Sequence, residues 1–102
     1  MSLSSIVSKT IVGGSSAPDM RLGQCPKGWR GTVCGLTPVA GLSIPWLEME
    51  RRLLEMGFVE GARLEILHDG PIMRDPIAVR VDDITIAVRR ADANTILVRP
   101  LE

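Results

Sequence analysis

The chain has 102 residues, a length that allows one hydrophobic core and therefore one small domain. Hydrophobic residues make up 45% of it, which excludes wholesale disorder, and its 12 basic side chains balance its 12 acidic ones. The balanced charge and an aromatic content of 3% argue against a nucleic-acid-binding module. No apolar run approaches the roughly 20 residues of a membrane-spanning helix, so we expect no direct membrane insertion.

The first 24 residues differ in composition from the rest, because they are rich in Ser and Gly and poor in charge. We expect a loosely ordered leader over residues 1–24, a domain over 25–100 and a cloning remnant at 101–102. Within the leader, residues 8–16 (SKTIVGGSS) are compatible with a lone strand. The stretch lacks the form of a secretory signal and the chain has only two cysteines, which indicates a cytoplasmic protein.

One helix is predicted over the segment IPWLEMERRLLEMGF, residues 44–58. Apolar residues recur there at steps of three and four, which predicts a buried stripe of Trp46, Met49, Leu53 and Met56, widened by Leu47 and Leu54. Glu48 and Arg52 form a favourable i,i+4 pair on the solvent side.

The ends of this helix also carry signals. Ser43 is placed to cap it, and Pro45 suits its first turn. At the other end Gly57 is expected as a left-handed residue that lets Phe58 fold back on Leu53 in a Schellman motif.

Alternating apolar residues predict five short strands, one before the helix and four after it: residues 28–39, 62–69, 76–82, 84–90 and 95–100. Asp82-Asp83 is expected to be a hairpin turn, and Ile96 and Val98 are expected to point inward. Five short strands and one helix are too few for a sandwich. They favour a mainly β fold, a small SH3-like five-stranded barrel with one helix inserted after the first strand.

Residues 28–99 resemble the FeoA family of ferrous iron transport proteins. Four elements carry the resemblance by their order and spacing: Met56-Gly57-Phe58, Glu60-Gly61-Ala62, Arg74-Asp75-Pro76-Ile77 and Ile86-Ala87-Val88-Arg89-Arg90. Leu53, Gly57, Phe58 and Gly61 would form the structural corner after the helix. Two departures stand out, since Glu60 replaces a usual proline and IMRDP replaces a usual LGDP with one residue more.

The resemblance implies an SH3-like accessory protein that acts by contact with the cytoplasmic part of FeoB, the membrane GTPase that imports Fe(II). It implies no catalytic activity and no cofactor. The alternative is a free-standing SH3-like regulatory module of the type that ends iron-dependent repressors. A third hypothesis is a direct metal carrier, and a weak homo-oligomer is left open.

The candidate chemistry of the chain is sparse. Its only His, His68, ends a strand and is expected to be solvated, while Cys25 is expected to be exposed and Cys34 buried. Strong metal sites need clustered ligands, so we predict no metal site. No Ser or Cys stands near a His and an acid at a recognisable spacing, so we also predict no catalytic residues.

The arginine pattern is the more informative feature. Arg80, Arg89, Arg90 and Arg99 are expected on outward strand faces, either as solvated surface or as a docking face. The segment 68–76 (HDGPIMRDP) is expected to be a loop in which Ile72 either is exposed with Met73 or packs under the barrel. The hypothesis for the partner-binding surface is therefore Ile72, Met73, Arg74, Arg80 and Arg89.

Overall fold

A computed structural model describes residues 20–101 of the chain. Its strands are β1 (Met20–Arg21), β2 (Arg30–Leu36), β3 (Arg63–Ile72), β4 (Asp75–Val81), β5 (Ile84–Val88) and β6 (Ile96–Pro100). Its helices are α1 (Trp46–Glu55), the short α2 (Arg90–Ala93) and a 3₁₀ turn at Leu22–Gln24. The strand considered for residues 8–16 and the remnant's last residue lie outside the described residues.

The six strands form one antiparallel sheet in the order β1-β6-β2-β3-β4-β5. Its inner face carries the alternating apolar residues that the sequence singles out, and Ile66, Ile77, Val79, Ile96 and Val98 are all fully buried. The turn Asp82-Asp83 connects β4 to β5 as predicted, because Val81 pairs with Ile84 across it. The mainly β architecture, with the long helix after the first long strand, confirms the predicted fold class, although the sheet has six strands and not the five predicted.

The expected start of the domain at residue 25 is too late. β1 pairs with β6 through Met20–Val98 and Arg21–Leu97, and Leu22 in the following turn is fully buried. A two-residue strand is too short to show the period of two that identifies strands in a sequence. The fold therefore includes residues 20–24, which the sequence assigns to the leader.

Helix α1 buries the predicted stripe but not its predicted width. Met49 and Leu53 are buried, and Trp46 and Met56 are half-buried. Leu47 and Leu54 were expected to widen the stripe, but this is wrong, since both are exposed and Leu47 retains 76% of its accessible surface. Each lies one position, about 100° around the helix, after a stripe residue and so points away from the sheet.

The end of α1 follows the sequence closely, whereas its start does not. Pro45 occupies the N-cap position and no side chain caps the helix, so the expected Ser43 cap is wrong. At the other end Gly57 is left-handed, with φ +107°. The Phe58 amide donates to the Leu53 carbonyl at 3.0 Å and the Gly57 amide to that of Leu54 at 3.1 Å, which confirms the Schellman motif.

The corner after α1 connects the helix to the sheet. Phe58 is fully buried, and the Gly61 amide donates to the Val33 carbonyl of β2 at 2.8 Å. The Val33 amide in turn donates to the Ala62 carbonyl at 3.0 Å, so the chain enters β3 already paired with β2. Gly61 has φ +90°, a conformation that a residue with a side chain adopts at a cost. The corner therefore sets where β3 begins.

Leu53→Ala is expected to lower the free energy of unfolding by about 2–5 kcal/mol, because it leaves a cavity at a side chain that is almost completely buried. Leu47→Ala, the same change at an exposed site of the same helix, is expected to stay within about 0.5 kcal/mol of wild type. Urea denaturation followed by circular dichroism measures both. Equal stabilities for the two variants would contradict the packing described for α1.

Candidate functional site

The segment expected to be a loop over residues 68–76 is instead the end of a β-hairpin. Strand β3 continues to Ile72, which pairs with Asp75 at the start of β4. The two residues between them, Met73 and Arg74, have φ angles of 56° and 60°, as a type I′ turn requires. The sequence gives little indication of this turn, because Gly70 and Pro71 are residue types that are common in loops. In the structure they remain within β3, and only the register of its pairing with β4 shifts there.

Two large apolar side chains project from this hairpin tip, which we define as residues 72–76. Ile72 is 75% exposed and Met73 is 87% exposed, so the alternative that Ile72 packs under the barrel is wrong. Together with Asp75, Pro76 and Arg89 they line an open depression of about 370 Å³. Apolar side chains at an exposed tip contribute nothing to the core, and such clusters commonly mark interaction sites.

The structure divides the predicted partner-binding residues into two groups. Ile72, Met73 and Arg89 meet at the depression, and Arg74 lies on the turn beside it. The guanidinium of Arg74 is 71% exposed, and its Nε lies 4.0 Å from Asp69 Oδ2, so it remains available to a partner. Arg80 lies five residues along β4 from Asp75, about 16 Å away at 3.3 Å per residue.

Arg80 belongs to a second arginine cluster on the outward face of the sheet. Directly opposite residues in antiparallel strands point to the same face. The pairings Arg30–Glu65–Arg80 and Arg99–Thr32–Arg63 therefore bring four arginines to one face: Arg30, Arg63, Arg80 and Arg99. Sequence reasoning missed Arg30 and Arg63, although register could have identified them once β2 and β3 were paired.

The same face carries acids among its arginines. Arg80 Nη2 lies 3.5 Å from Glu65 Oε1, and a groove of about 660 Å³ is lined by Arg30, Arg63 and Arg80 together with Glu65, Asp82 and Asp83. Three positive and three negative charges cancel in this groove. It therefore presents no field of one sign that would attract an anionic polymer.

Arg90 was expected on an outward strand face, and this is wrong. Its side chain is 17% exposed and lies among backbone carbonyls of two segments, residues 23–25 and the hairpin tip, next to the carboxylate of Asp69. Nη1 donates to the carbonyls of Gly23 at 2.9 Å and Cys25 at 3.0 Å, and Nε donates to that of Arg74 at 2.8 Å. Nη2 lies 3.6 Å from Asp69 Oδ2.

This single guanidinium therefore connects the 3₁₀ turn, the hairpin tip and β3. The backbone amide of the same residue donates to Asp75 Oδ1 at 2.8 Å, which fixes the tip from a second side. Close by, Arg21 Nη1 donates to the Asn94 carbonyl at 2.8 Å and holds β1 against the end of α2. The hairpin tip is consequently a supported structure, although its apolar side chains face solvent.

The expected exposure of Cys25 is wrong, and Cys34 is less buried than expected. Cys25 is fully buried and its Sγ donates to the Arg21 carbonyl at 3.5 Å, whereas Cys34 is half-buried. Burial raises the pKa of the Cys25 thiol above its ordinary value of 9.0, and the Arg90 guanidinium opposes this only in part. Because the folded pKa is the higher one, the folded state favours the neutral thiol. The free energy of unfolding is therefore unaffected by this group below pH 9 and falls as pH rises through the folded pKa.

Metal ligands do not gather within residues 20–101. No three His, Cys, Asp or Glu side chains in that part of the chain are placed to hold one ion. His68 is exposed on β3, as the solvated histidine expected from the sequence would be. In the same part of the chain no helix is long and apolar enough to span a membrane.

Arg90→Lys is expected to lower the free energy of unfolding by at least about 1.5–3 kcal/mol, the usual contribution of one hydrogen bond to a charged group. Lysine keeps the charge, but a single ammonium cannot reach the carbonyls of Gly23, Cys25 and Arg74 together. Thermal and urea denaturation measure the loss. Arg89→Lys, at the exposed neighbouring residue, is the matched control and is expected to remain near wild type.

Anaerobic titration calorimetry with Fe(II) and with Zn(II) is expected to show no saturable site tighter than micromolar in the monomer. The reason is the scarcity of clustered ligands among residues 20–101. His68→Ala is the comparison variant. A stoichiometric, tight site that disappears in this variant would contradict the prediction.

Comparison with known proteins adds the family. The model of the FeoA domain matches residues 20–100. A fusion of an Fe(2+) transport protein A with an Fe(2+) transporter FeoB from Porphyromonas gingivalis is 42% identical over 43 residues. The matched part is 42% of this chain and 5% of the fusion, so the chain spans about one-twentieth of that curated relative.

Solved structures show the same fold. FeoA of Stenotrophomonas maltophilia, a prokaryotic SH3 domain protein complexed with zinc, is 26% identical with a TM-score of 0.64, over 78% of this chain and 89% of that one. A manganese-dependent transcriptional repressor is 26% identical with a TM-score of 0.67, over 84% of this chain and 44% of the repressor. The SH3-like fold predicted from the strand pattern is thereby confirmed. Since the family model covers most of its length, the chain belongs to the FeoA family.

Proposed function

We propose that this chain is a non-catalytic accessory protein of ferrous iron uptake that binds the cytoplasmic part of a FeoB GTPase permease. The observation that carries the proposal is the Porphyromonas gingivalis fusion, in which a segment similar to this chain shares a polypeptide with FeoB. A covalent linker gives two domains a high effective concentration. A separate chain needs an affinity of its own to reach the same association, and it needs to be in the cytoplasm.

The hairpin tip is the surface we assign to this contact. Ile72 and Met73 supply apolar area that is exposed in the isolated chain, and Arg89 at the same depression supplies planar donors for an acidic group. Arg74 adds a second exposed guanidinium on the turn. A central apolar anchor with charged groups at its rim is the usual composition of a specific interface.

Rigidity of the backbone at the tip supports the same assignment. The type I′ turn fixes two residues, and the bonds of Arg90 to the Arg74 carbonyl and to Asp75 hold the turn against the body of the domain. A surface that is ordered before binding loses little conformational entropy when a partner arrives. Arg80 lies outside this surface, on the charge-balanced outward face, and we leave it out of the proposed contact.

Two other functions have less support. A metal carrier is favoured by the zinc in the Stenotrophomonas maltophilia structure, but residues 20–101 of this chain bring no three metal-ligating side chains together. A regulatory module of the repressor type is favoured by the shared fold of the manganese-dependent repressor. The family model that matches the chain is that of FeoA, so the repressor-type module has less support than the accessory protein.

Met73→Asp and Arg89→Glu are each expected to weaken binding to detergent-solubilised FeoB by about tenfold or more. The first change puts a charge into an apolar contact, and the second sets like charges against each other, so the loss in Arg89→Glu should depend on salt concentration. Interferometry with immobilised FeoB, with and without guanine nucleotide, measures the dissociation constant.

Two variants on α1 serve as matched controls. Leu47→Asp charges an apolar side chain of similar exposure, and Arg51→Glu reverses an exposed arginine. Both are expected to bind FeoB like wild type, and melting curves check that all four variants are folded. Wild-type binding by both Met73→Asp and Arg89→Glu would refute the surface. Absence of binding by the wild-type chain, with or without nucleotide, would refute the function.

A further inference from the structure

Strand β5 forms one edge of the sheet, and its outer side is unpartnered within the described residues. It pairs with β4 over five consecutive residues, and no backbone hydrogen bond joins it to any other segment of 20–101. The opposite edge is β1, which has only two residues. The side chain at the start of β5, Ile84, is 59% exposed although the alternation places it with Ile86 and Val88.

An edge of this kind is normally protected. Natural edge strands carry lysine, proline, an inward charge or a bulge, because a straight edge with free N–H and C=O groups pairs with other strands. Residues 84–88 are Ile-Thr-Ile-Ala-Val, with no charge and no proline, and their register with β4 runs without a shift. The edge therefore has the composition of a strand that is meant to be paired.

The sequence around the edge is complementary to itself. In an antiparallel pair of two copies centred on Ile86, Ile84 faces Val88 and Thr85 faces Ala87 on each side of the two-fold axis. One step further out, Asp83 in the β4–β5 turn of one copy comes next to Arg89 of the other, and Arg89 is still extended, with φ −70° and ψ 144°. The pairing thus puts uncharged residues against uncharged ones and brings opposite charges together at both ends.

We propose that two copies of this chain associate through their β5 edges, in a two-fold antiparallel pairing centred on Ile86 that extends the sheet from six strands to twelve. Charge complementarity selects this occupant, because the two Asp83–Arg89 pairs arise only when the strand meets a copy of itself in this register. A five-residue strand buries less than the roughly 1,200 Å² of a standard interface, so the dimer is weak and depends on concentration.

Helix α1 lies beside the second half of this edge. Between β5 and α1 lies a groove of about 180 Å³, bordered by Ala87 and Val88 on one side and by Ile44 and Met49 on the other. The Arg89 side chain is 59% exposed and its Nε is 3.5 Å from Asp92 Oδ2, so an incoming carboxylate can share the Arg89 guanidinium. The interaction does not require the hairpin tip.

A charge swap tests the pairing. Asp83→Arg puts two arginines at each end of the interface and Arg89→Asp puts two aspartates there, so each is expected to raise the dimer dissociation constant at least about tenfold in sedimentation equilibrium. The double variant restores both opposite-charge pairs with the positions exchanged. It is expected to recover the wild-type constant to within about threefold.

Hydrogen exchange provides a second readout. Amides of residues 84–88 are expected to exchange more slowly in a millimolar sample than in a micromolar one, whereas those of α1 should not change. Arg51→Glu is the charge control and Met73→Asp separates this proposal from the FeoB contact, since both should dimerise like wild type. Asp83→Arg, conversely, should leave FeoB binding intact.

Three results would overturn the proposal. The first is a wild-type chain that remains monomeric at about 1 mM. The second is a dimer whose dissociation constant neither single variant raises. The third is a double variant that dimerises as weakly as the single variants. The second and third results would each show that the copies do not meet in this register. None of these results bears on the contact with FeoB.

Discussion

The guanidinium of Arg90 is the contact on which the arrangement of this small domain depends. Its Nε and Nη1 donate to carbonyls of the hairpin tip and of residues 23–25, which are far apart in sequence, and its Nη2 lies 3.6 Å from the Asp69 carboxylate of β3. Taking that charge out of water is costly, and the cost is offset only while all these partners stay in place. The burial of Leu22 and the position of the hairpin tip are thus coupled through one side chain.

Local signals allowed much of the fold to be predicted. The left-handed Gly57, the folding back of Phe58 and the inward Ile96 and Val98 all follow from short patterns whose physical reason lies within a few residues. Long-range pairing was beyond the same reasoning. β1 has two residues and is a strand only because β6 lies beside it, so no local pattern could identify it.

The candidate site was predictable in part for the same reason. Ile72, Met73 and Arg89 were identified by residue type, and the hairpin register then brings them together. The expected exposure of Arg90 is wrong because an arginine that follows a strand is usually solvated. Only the three-dimensional fold brings backbone carbonyls around it. Cys25 was misassigned likewise, since its neighbour Pro26 indicates a loop while Leu22 brings that loop into the core.

At the turn of the hairpin tip, the residues that would fit the backbone best are not the ones that carry the exposed side chains. Met73 and Arg74 both have positive φ angles, a region in which residues with side chains are strained and glycine is not. Selection for stability alone would replace them with Asn-Gly or Gly-Gly and remove the exposed methionine and arginine in doing so. Met73 and Arg74 thus leave the domain below its attainable stability, and selection from random variants for heat resistance would be expected to replace these tip residues first.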